Sequence, residues 1–341
     1  MTVRPDNGRT KLPDPRVTPR FAGLCTFARY PRLEDVSNDA LPLDWAFYGI
    51  PFDTGTTYRP GARFGPRAIR EASQYLKPYH LVHDITVTEI LSLADAGDAP
   101  INTFDCESTA RDASAHALTL ADPDHTKLFA LGGDHSIALA NLRATWARRG
   151  KPKKGLALLH VDSHLDTVDQ TLGERYSHAS PFIRAVEEGL IDPEAMLSVG
   201  IKGPLNTKRD LDYARKHGVT IVTCEQYRDS GAAVIRDFLK RLKDRETYVS
   251  FDIDAVDPAF APGTGTLSVG GLSSWEALAL VRSWKGVNVV GGDLVEVLPD
   301  RDVAGITAML AAHLAFEIVS LDAVRRASTS TPDGPKKTRS R

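Results

Sequence analysis

The amino-acid sequence predicts a three-layer α/β/α fold around a central, mainly parallel sheet of about eight strands. Short apolar runs alternate with helix-like segments along almost the whole chain, a pattern typical of a parallel sheet covered by helices on both faces. The 341-residue chain is 42% hydrophobic and 25% charged, which is enough to bury a large core. The predicted strands are residues 44–50, 89–93, 127–131, 155–161, 196–200, 220–223, 247–251 and 287–291.

The segments between these strands carry signals for the ends of helices. Pro66 lies near the start of one segment, where its fixed φ suits the first helical turn. Gly150 closes another segment, as expected of a residue that accepts a left-handed conformation. Ser273 and Glu276 form a capping-box pattern before an apolar run. These signals support the alternation of strands and helices.

The chain shows no internal repeat and no convincing linker, so we predict one domain over residues 41–324. Residues 1–40 form an N-terminal arm in this prediction. The end of the chain, residues 325–341, reads RRASTSTPDGPKKTRSR and contains basic, Ser/Thr and Pro residues without an apolar period. That composition predicts a disordered basic tail.

Charge, hydropathy and cysteine content exclude several classes of protein. A formal net charge of −2 produces no global field that would attract nucleic acid or an acidic membrane surface. We find no apolar run of the roughly 18 to 20 residues that a membrane span requires, and we expect no membrane partner. Cys25, Cys106 and Cys224 are far apart and lack CxxC spacing, which argues against a disulfide framework or a thiolate zinc site. We therefore expect a cytoplasmic protein.

Three predicted strand ends carry residues that could bind metal ions. Parallel sheets place functional groups in the loops beyond the carboxyl ends of their strands. After the strand at 127–131, the paired glycines of GGDHS allow a tight turn that places His135 at the sheet edge. A single His after a strand is more often structural than a ligand, so this residue needs further donors beside it.

The next two strand ends supply such donors. Asp162, His164 and Asp166 alternate along DSHLD, and alternate side chains of an extended backbone point to the same face. A polar strand end with capping carboxylates is the alternative, but it leaves unexplained why all three alternate positions are ionisable. Asp252 and Asp254 alternate in the same way after the strand at 247–251. Carboxylates this close repel one another unless a cation neutralises them.

Together these strand ends supply oxygen and nitrogen donors without a thiolate. Such a set suits two divalent metal ions, with Mn²⁺ favoured and Ni²⁺ the main alternative. A bound metal lowers the pKa of water from about 15.7 to about 7, so hydroxide is available at neutral pH. The predicted reaction is therefore metal-assisted hydrolysis. The six proposed ligands are His135, Asp162, His164, Asp166, Asp252 and Asp254.

The same motifs resemble those of the ureohydrolase family, which includes arginase and agmatinase, and the agmatinase-like branch in particular. The resemblance extends over residues 45–317 and includes several motifs in the family's order. These motifs are GIPFDTGTTYRPGARFGPRAIREAS, GGDHS, DSHLD, SFDIDAVDPAFAPGTGT and GGDLVEVLPDRDVAGITAMLAAHLAFE. The resemblance implies an arginase-like fold and hydrolysis of a C–N bond in a guanidine-type substrate by a metal-bridging hydroxide.

The resemblance also implies a role for each site residue. It assigns one metal ion to His135, Asp162, Asp166 and Asp252. It assigns the other to Asp162, His164, Asp252 and Asp254. Three catalytic residues follow by the same comparison: Asp166 as proton carrier, His178 as proton shuttle or substrate contact, and Glu296 as the carboxylate that holds the guanidinium group. A homotrimer or hexamer, with a homologous subunit as an option, is the implied assembly.

Three residues near the implied site depart from the family's pattern. Ser163 stands where the family usually has Ala, Ala179 replaces Gly, and Leu267 replaces Pro. None of these changes removes a proposed ligand or Glu296, so catalysis is expected. A pocket altered by one methylene can change selectivity by roughly 10- to 200-fold. The substrate therefore stays open among the members of one chemical class.

The leading expectation is hydrolysis of agmatine, a guanidino acid or a similar compound to urea and an amine. Free guanidine or an alkylated biguanide such as metformin is the alternative within the same chemistry. A noncatalytic subunit of a mixed oligomer is an alternative from another class, although the complete ligand set argues against it. A deacetylase-like amidohydrolase fits less well, because the site is built for two metals and includes Glu296.

Overall fold

Eight strands form one sheet in the computed structural model, which describes residues 9–330. The strands in chain order are β1 (Trp45–Gly49), β2 (Tyr79–His80), β3 (Ile85–Thr86), β4 (Leu93–Asp98), β5 (Lys127–Leu131), β6 (Leu156–Val161), β7 (Ile191–Ile201), β8 (Thr220–Thr223), β9 (Glu246–Asp252) and β10 (Asn288–Val295). Strands β2 and β3 pair antiparallel in a separate hairpin, and every pair in the large sheet is parallel. The spatial order of the large sheet is β4-β1-β5-β10-β9-β6-β7-β8.

Helices cover both faces of this sheet. They are α1 (Gly65–Ala72), α2 (Val87–Ile90), α3 (Cys106–Thr119), α4 (Ile137–Arg148), α5 (Pro181–Glu187), α6 (Asp212–Lys216), α7 (Cys224–Gln226), α8 (Ala232–Leu242), α9 (Ser274–Ser283) and α10 (Ile306–Ser330). Phe47 belongs to the core cluster that includes α1, α9 and α10, whereas the next residue, Tyr48, belongs to the cluster that includes α3 and α4. Successive side chains of a strand point to opposite faces, so the central strands are buried on both sides. The predicted three-layer fold is confirmed.

The predicted strand at residues 89–93 is wrong. Val87–Ile90 forms a short helix, and β4 begins at Leu93. The true strand contains small residues and Asp95, so its sequence lacks an apolar signal. Asp95 is nevertheless buried, because Arg70 donates to its carboxylate at 2.8 and 3.0 Å. A buried ion pair between distant residues thus replaced the expected apolar contacts.

Both ends of the described chain pack onto the domain. In the N-terminal segment, Phe27 is fully buried and stacks on Phe47 with ring centroids 4.3 Å apart. At the other end, α10 continues through Arg325 to Ser330, beyond the boundary at which we predicted the tail to begin. This extension is polar, and Arg326 anchors it through ion pairs with Asp44 at 2.6 Å and with Asp322 at 3.1 Å. Residues 331–341 of the predicted tail, and residues 1–8 of the predicted arm, lie outside the described residues.

Helix α10 contains an apolar stretch that the sequence analysis overlooked. Residues Ile306–Thr329 are long and apolar enough to cross a membrane by length and composition. However, 83% of the apolar window is buried inside the protein. The helix packs against β10, α1 and α9, which accounts for its hydropathy as that of a core helix.

The sheet order brings four strand ends with polar motifs side by side. Strands β5, β10, β9 and β6 are consecutive neighbours in the sheet, and all of them are parallel. Their carboxyl ends therefore meet at one edge. The side chains that follow these strands come together there, although they are up to about 160 residues apart in the chain.

Candidate metal centre

The structure brings the six proposed ligands into one cluster. The Nδ1 atom of His135 lies 3.1 Å from Oδ2 of Asp162, 2.9 Å from Oδ2 of Asp166 and 3.3 Å from Oδ2 of Asp252. All four side chains are buried. An imidazole nitrogen and three carboxylate oxygens thus converge on one point, as the donors of a hard or borderline cation do.

A second group of donors adjoins the first. Nδ1 of His164 lies 3.3 Å from Oδ1 of Asp162 and 3.2 Å from Oδ2 of Asp254. Asp162 belongs to both groups through its two oxygens. Asp252 is tied to the second group, because the backbone N–H of Asp254 donates to its Oδ1 at 2.8 Å. The arrangement fits two neighbouring divalent ions that share carboxylates.

The protonation of His135 follows from its hydrogen bonds. Ser250 Oγ lies 2.6 Å from Oδ1 of Asp293, an acceptor, so the Ser250 hydroxyl donates to that carboxylate. The same Oγ then accepts from Nε2–H of His135 at 2.8 Å. Nδ1 of His135 is therefore the nitrogen that faces the three carboxylates. Burial lowers the pKa of His135, but Asp162, Asp166 and Asp252 outweigh burial and raise it well above its ordinary value. A metal ion bound here would take the place of the proton on Nδ1, because a ligand nitrogen must be deprotonated.

A row of buried polar side chains supports the cluster from beneath. Pairing of neighbouring strands aligns Asp293 with Ser250, Ser250 with His160, and His160 with Ser198. His160 reaches Oδ2 of Asp162 through Nε2 at 2.9 Å, and its Nδ1 lies 3.1 Å from Ser198 Oγ. Ser250 was not among the site residues predicted from the sequence. Its position two residues before Asp252, on the same face of β9, is the signal that was available.

Burial of the carboxylates indicates that the cluster requires positive charge. Burial, together with the carboxylates of Asp254 and Asp162, raises the pKa of Asp252 well above its ordinary value. Burial and the Asp162 carboxylate likewise raise the pKa of Asp166. Divalent cations would stabilise the ionised forms of these groups, which hydrogen bonds from the protein alone do not fully do.

Glu296 lies beside this cluster on the loop after β10. Its backbone has a φ of 65°, a left-handed conformation that non-glycine residues rarely adopt. Oε1 accepts from the backbone N–H of His135 at 2.9 Å and lies 3.0 Å from Nδ1 of His178. Oε2 is buried and has no hydrogen-bond partner. One carboxylate oxygen is thus held in place, while the other has no hydrogen-bond partner among the described residues.

His178 holds Glu296 with a defined tautomer. The backbone N–H of Thr57 points to Nε2 of His178 at 3.1 Å, so Nε2 accepts. Nδ1 then carries the proton and donates to Glu296. Burial lowers the pKa of His178, but the Glu296 carboxylate outweighs burial and raises it to about 9, which favours a doubly protonated ring. The Thr57 N–H directed at Nε2 opposes that second proton, so the tautomer with its proton on Nδ1 belongs to the neutral ring. Both ring nitrogens have protein partners, so His178 supports Glu296 in addition to contacting the cavity.

Asp134 anchors the loop that carries Thr57. Its Oδ2 accepts from the backbone N–H of Gly55 at 2.8 Å, and Oδ1 accepts from the backbone N–H of Ser136 at 3.0 Å. Burial and the neighbouring Glu296 carboxylate raise the pKa of Asp134 to about 7. Asp134 thereby links the loop after β1 to the loop after β5.

A cavity of about 590 Å³ opens above the cluster. Asp166, Asp252, His164 and His178 lie at its inner end. Among the described residues that line the cavity, none is Lys or Arg. The other lining residues include one acidic residue, Asp210, among apolar and polar uncharged side chains: Leu165, Val168, Leu172, Ile201, Pro204, Leu205, Gln170, Thr171 and Asn206.

The three residues that depart from the family's pattern, Ser163, Ala179 and Leu267, occupy different surroundings. Ala179 lines the cavity, and Leu267 follows Thr266, which also lines it. Ser163 is fully buried and contacts the backbone carbonyl of Asp254 rather than the cavity. Ser163 therefore does not line the substrate pocket, because its hydroxyl group lies against Lys202 and the Asp254 carbonyl.

The fold and the donor cluster define a class, the metal-dependent hydrolases with a layered α/β/α fold. The chain belongs to the Arginase family, whose sequence pattern matches residues 43–320. It is 40% identical to proclavaminate amidinohydrolase of Streptomyces clavuligerus over 90% of this chain and 95% of that protein. It is 39% identical to the human mitochondrial guanidino acid hydrolase, with 92% and 87% of the two chains covered.

Solved structures show the same relationship. The structure of the S. clavuligerus enzyme matches with a TM-score of 0.82 at 39% identity, covering 90% of this chain and all of that one. A hypothetical agmatinase from Burkholderia thailandensis matches with a TM-score of 0.80 at 35% identity, covering 96% and 98% of the two chains. The predicted resemblance is confirmed, and the protein is a hydrolase of C–N bonds in linear amidines that acts on guanidino compounds.

Proposed function

We propose that the protein is a binuclear-metal amidinohydrolase that uses water to split a guanidine-type substrate into urea and an amine. Two buried atoms carry this proposal: Nδ1 of His135, which faces three carboxylates, and Oε2 of Glu296, which has no hydrogen-bond partner among the described residues. The first suits a metal ion and the second suits an N–H donor of a guanidinium group. A site built from these atoms can hold both the activated water and the carbon that it attacks.

The two donor groups would hold the metal ions. His135, Asp162, Asp166 and Asp252 would bind one ion, and Asp254 and His164 would complete the other site with the shared carboxylates. When bound, the ions supply hydroxide at neutral pH by lowering the pKa of water. Mn²⁺ is the proposed metal and Ni²⁺ the alternative, since both accept mixed oxygen and imidazole donors.

Glu296 would bind and orient the guanidinium group. A guanidinium is planar and carries several N–H donors, and a charged acceptor strengthens each hydrogen bond. His178 and the backbone N–H of His135 already hold Oε1, so only Oε2 is free to accept from the substrate. This single open oxygen would place the guanidinium carbon toward the metal ligands.

Asp166 would move the proton. Its carboxylate lies at the inner end of the cavity, and its backbone φ of 49° holds it in a left-handed conformation. It would accept a proton from the attacking water and deliver it to the nitrogen that leaves. The C–N bond breaks as the new C–O bond forms, and the proton leaves with the amine.

The cavity wall supports a substrate whose distal end carries no carboxylate. A carboxylate tail would find no Lys or Arg among the described lining residues, whereas Leu172 is 89% exposed and Val168 is 43% exposed at the cavity rim. An N-alkylated guanidine or biguanide is therefore the second candidate beside agmatine and guanidino acids. Apolar contact with this rim is the observation that favours it. We also propose a homotrimer or hexamer as the assembly.

A substrate panel with two product assays tests the proposal. Metal-free protein is reconstituted with Mn²⁺ or Ni²⁺ and incubated with agmatine, 4-guanidinobutyrate, arginine, guanidine and N,N-dimethylbiguanide. Urea and amine are measured separately, because a dialkylbiguanide that loses its dialkylamine leaves guanylurea instead of urea. We expect faster turnover for a substrate without a carboxylate than for 4-guanidinobutyrate or arginine.

Each outcome of the panel has a defined meaning. Faster turnover of a guanidino acid would overturn the proposed preference while leaving the hydrolase activity intact. Two bound metals without hydrolysis of any compound would favour the noncatalytic subunit. A protein that binds neither metal would overturn the metal centre itself.

A further inference from the structure

Lys202 occupies an unusual position behind the proposed metal centre. It follows β7 directly and is only 6% exposed. Among the described residues, no carboxylate lies within ion-pair distance of its ammonium group. A buried charge without a counterion is costly, so its retention requires good hydrogen bonds. Lys202 therefore calls for an explanation that the substrate cavity does not provide.

The ammonium group of Lys202 contacts two parts of the metal-binding loops. Nζ donates to the backbone carbonyl of Asp254 at 2.6 Å, and it also donates to Oγ of Ser163. Ser163 in turn donates from its hydroxyl to the Asp254 carbonyl at 2.8 Å. The backbone N–H of Ser163 donates to Oδ1 of Asp254 at 3.1 Å. Lys202, Ser163 and Asp254 thus form a closed hydrogen-bonded triangle.

This triangle joins two loops that carry ligands. Ser163 lies between Asp162 and His164, and Asp254 is itself a proposed ligand. The carboxylate of Asp254 has Oδ2 3.2 Å from Nδ1 of His164 and accepts from Thr266. The contacts of Lys202 therefore act on the donors of the second metal ion and touch none of the atoms around Nδ1 of His135.

The space around Lys202 is fitted to its side chain. A Cβ atom at Gly271 would lie 2.5 Å from the backbone nitrogen of Asp257 and 2.6 Å from Cε of Lys202, closer than non-bonded atoms approach. The backbone at residue 271 therefore packs directly against both Asp257 and the lysine stem. The backbone N–H of Gly271 also donates to Asp257 at 3.1 Å, which holds this wall in place.

We propose that Lys202, acting through Ser163 and the Asp254 carbonyl, is a positioning residue that holds the ligands of the second metal ion. The proposal rests on the proposed binuclear centre and assigns a purpose to Ser163, which departs from the family's pattern. Lys202 reaches neither the substrate nor the metal ions. Its contribution is to fix the distance between the loop that carries His164 and the loop that carries Asp254.

Metal titration of variants tests this proposal. Lys202→Met removes the ammonium at similar length, Ser163→Ala removes the hydroxyl, and Lys216→Met, at an exposed lysine of α6, is the matched control. Each metal-free protein is titrated with Mn²⁺ by calorimetry, and its metal content is measured after dialysis. Electron paramagnetic resonance distinguishes a coupled Mn²⁺ pair from a single ion. Thermal unfolding of the metal-free proteins reports any loss of fold.

We expect both site variants to bind the first ion with nearly wild-type affinity. They should bind the second ion about 10- to 100-fold more weakly, which is the usual effect of removing a hydrogen bond that orients a metal ligand. The coupled-pair signal should be lost at equal Mn²⁺. The double variant should be no worse than Lys202→Met, because the two residues act as a unit. Ser163→Ala serves as the test if Lys202→Met does not fold.

Three results would overturn the proposal. Equal weakening of both ions, or of neither, would show that Lys202 does not act on the second site. Effects of the two substitutions that add in full would show that the residues act separately. Wild-type protein that binds fewer than two ions would overturn the binuclear centre as well, which distinguishes that failure from a failure of the Lys202 proposal alone.

Discussion

Replacing Glu296 by Gln removes one negative charge and changes one oxygen to an amide nitrogen. In wild type, Oε1 accepts from the backbone N–H of His135 and from Nδ1–H of His178, and Oε2 is free. If the amide NH₂ group of Gln faced the cavity, it would oppose the N–H donors of a guanidinium. If it faced the other way, it would oppose the two donors that hold Oε1. Either orientation therefore costs a hydrogen bond.

The magnitude follows from that loss. A hydrogen bond to a charged group contributes about 1.5–3 kcal/mol, and loss of the net charge adds to it. We take about 2–4 kcal/mol for the total, which corresponds to a decrease of about 30- to 900-fold in kcat/KM at 1.36 kcal/mol per tenfold. The ring of His135 does not contact Glu296, so metal binding should be spared.

The assay compares kcat/KM and metal content of Glu296→Gln with those of wild type, using the best substrate of the panel. Glu225→Gln, at an exposed position, is the matched control for loss of a carboxylate. A kcat/KM within about threefold of wild type at full metal occupancy would refute the reasoning. A decrease that only follows loss of metal would place Glu296 in the metal centre instead of at the guanidinium.

Asp254→Asn should lower metal content and reduce turnover by more than about tenfold while the protein stays folded. Elemental analysis measures the metal content, and circular dichroism checks the fold. Full metal occupancy with full activity would contradict the ligand assignment. Ser250→Ala leaves Nε2–H of His135 and Oδ1 of Asp293 each without a buried partner, so it should cost about 1–3 kcal/mol in urea unfolding and weaken metal binding about 10- to 100-fold. Wild-type stability and affinity would exclude this orienting role. Burial raises the pKa of Asp322, but Lys127, Arg326 and the indole N–H of Trp45 outweigh burial and hold it below its ordinary 3.8. The unfolded state then binds more protons, so this contribution to stability is present above about pH 4 and is lost as the pH falls through the lower folded-state pKa. Asp322→Asn should therefore flatten the loss of unfolding free energy below pH 4, and parallel pH curves would contradict that expectation.

The structure confirms the predicted fold class. The prediction succeeded because it depended on patterns within short segments of the sequence. Strands buried on both faces read as apolar runs, and the helices between them carry their own start and stop signals. Strand β4 was not predicted correctly, because its stability depends on a contact between distant residues. Its carboxylate at Asp95 is stabilised by Arg70, and a pair formed by residues distant in sequence leaves no mark on the pattern of either segment.

The donors of the metal centre were also visible in the sequence. The alternate spacing of Asp162, His164 and Asp166 predicted these donors, although the segment is not extended in the structure: it bends at residues 163–164, and Asp166 has a φ of 49°. Glu296 was identified through its motif. The sequence did not show that His178 holds Glu296, since that contact joins loops 118 residues apart.

Taken alone, the sequence determined the layered fold, the residues at the strand ends and the class of chemistry they support, because each depends on a short segment. Only the tertiary structure decided which strands are neighbours in the sheet and in which register they pair. That register aligns Asp293, Ser250 and His160 beneath the ligands and brings Lys202 to Ser163. Pairing between distant strands is set by the packing of the whole core, so neither the orienting row nor the lysine behind the second metal site could be deduced from local pattern.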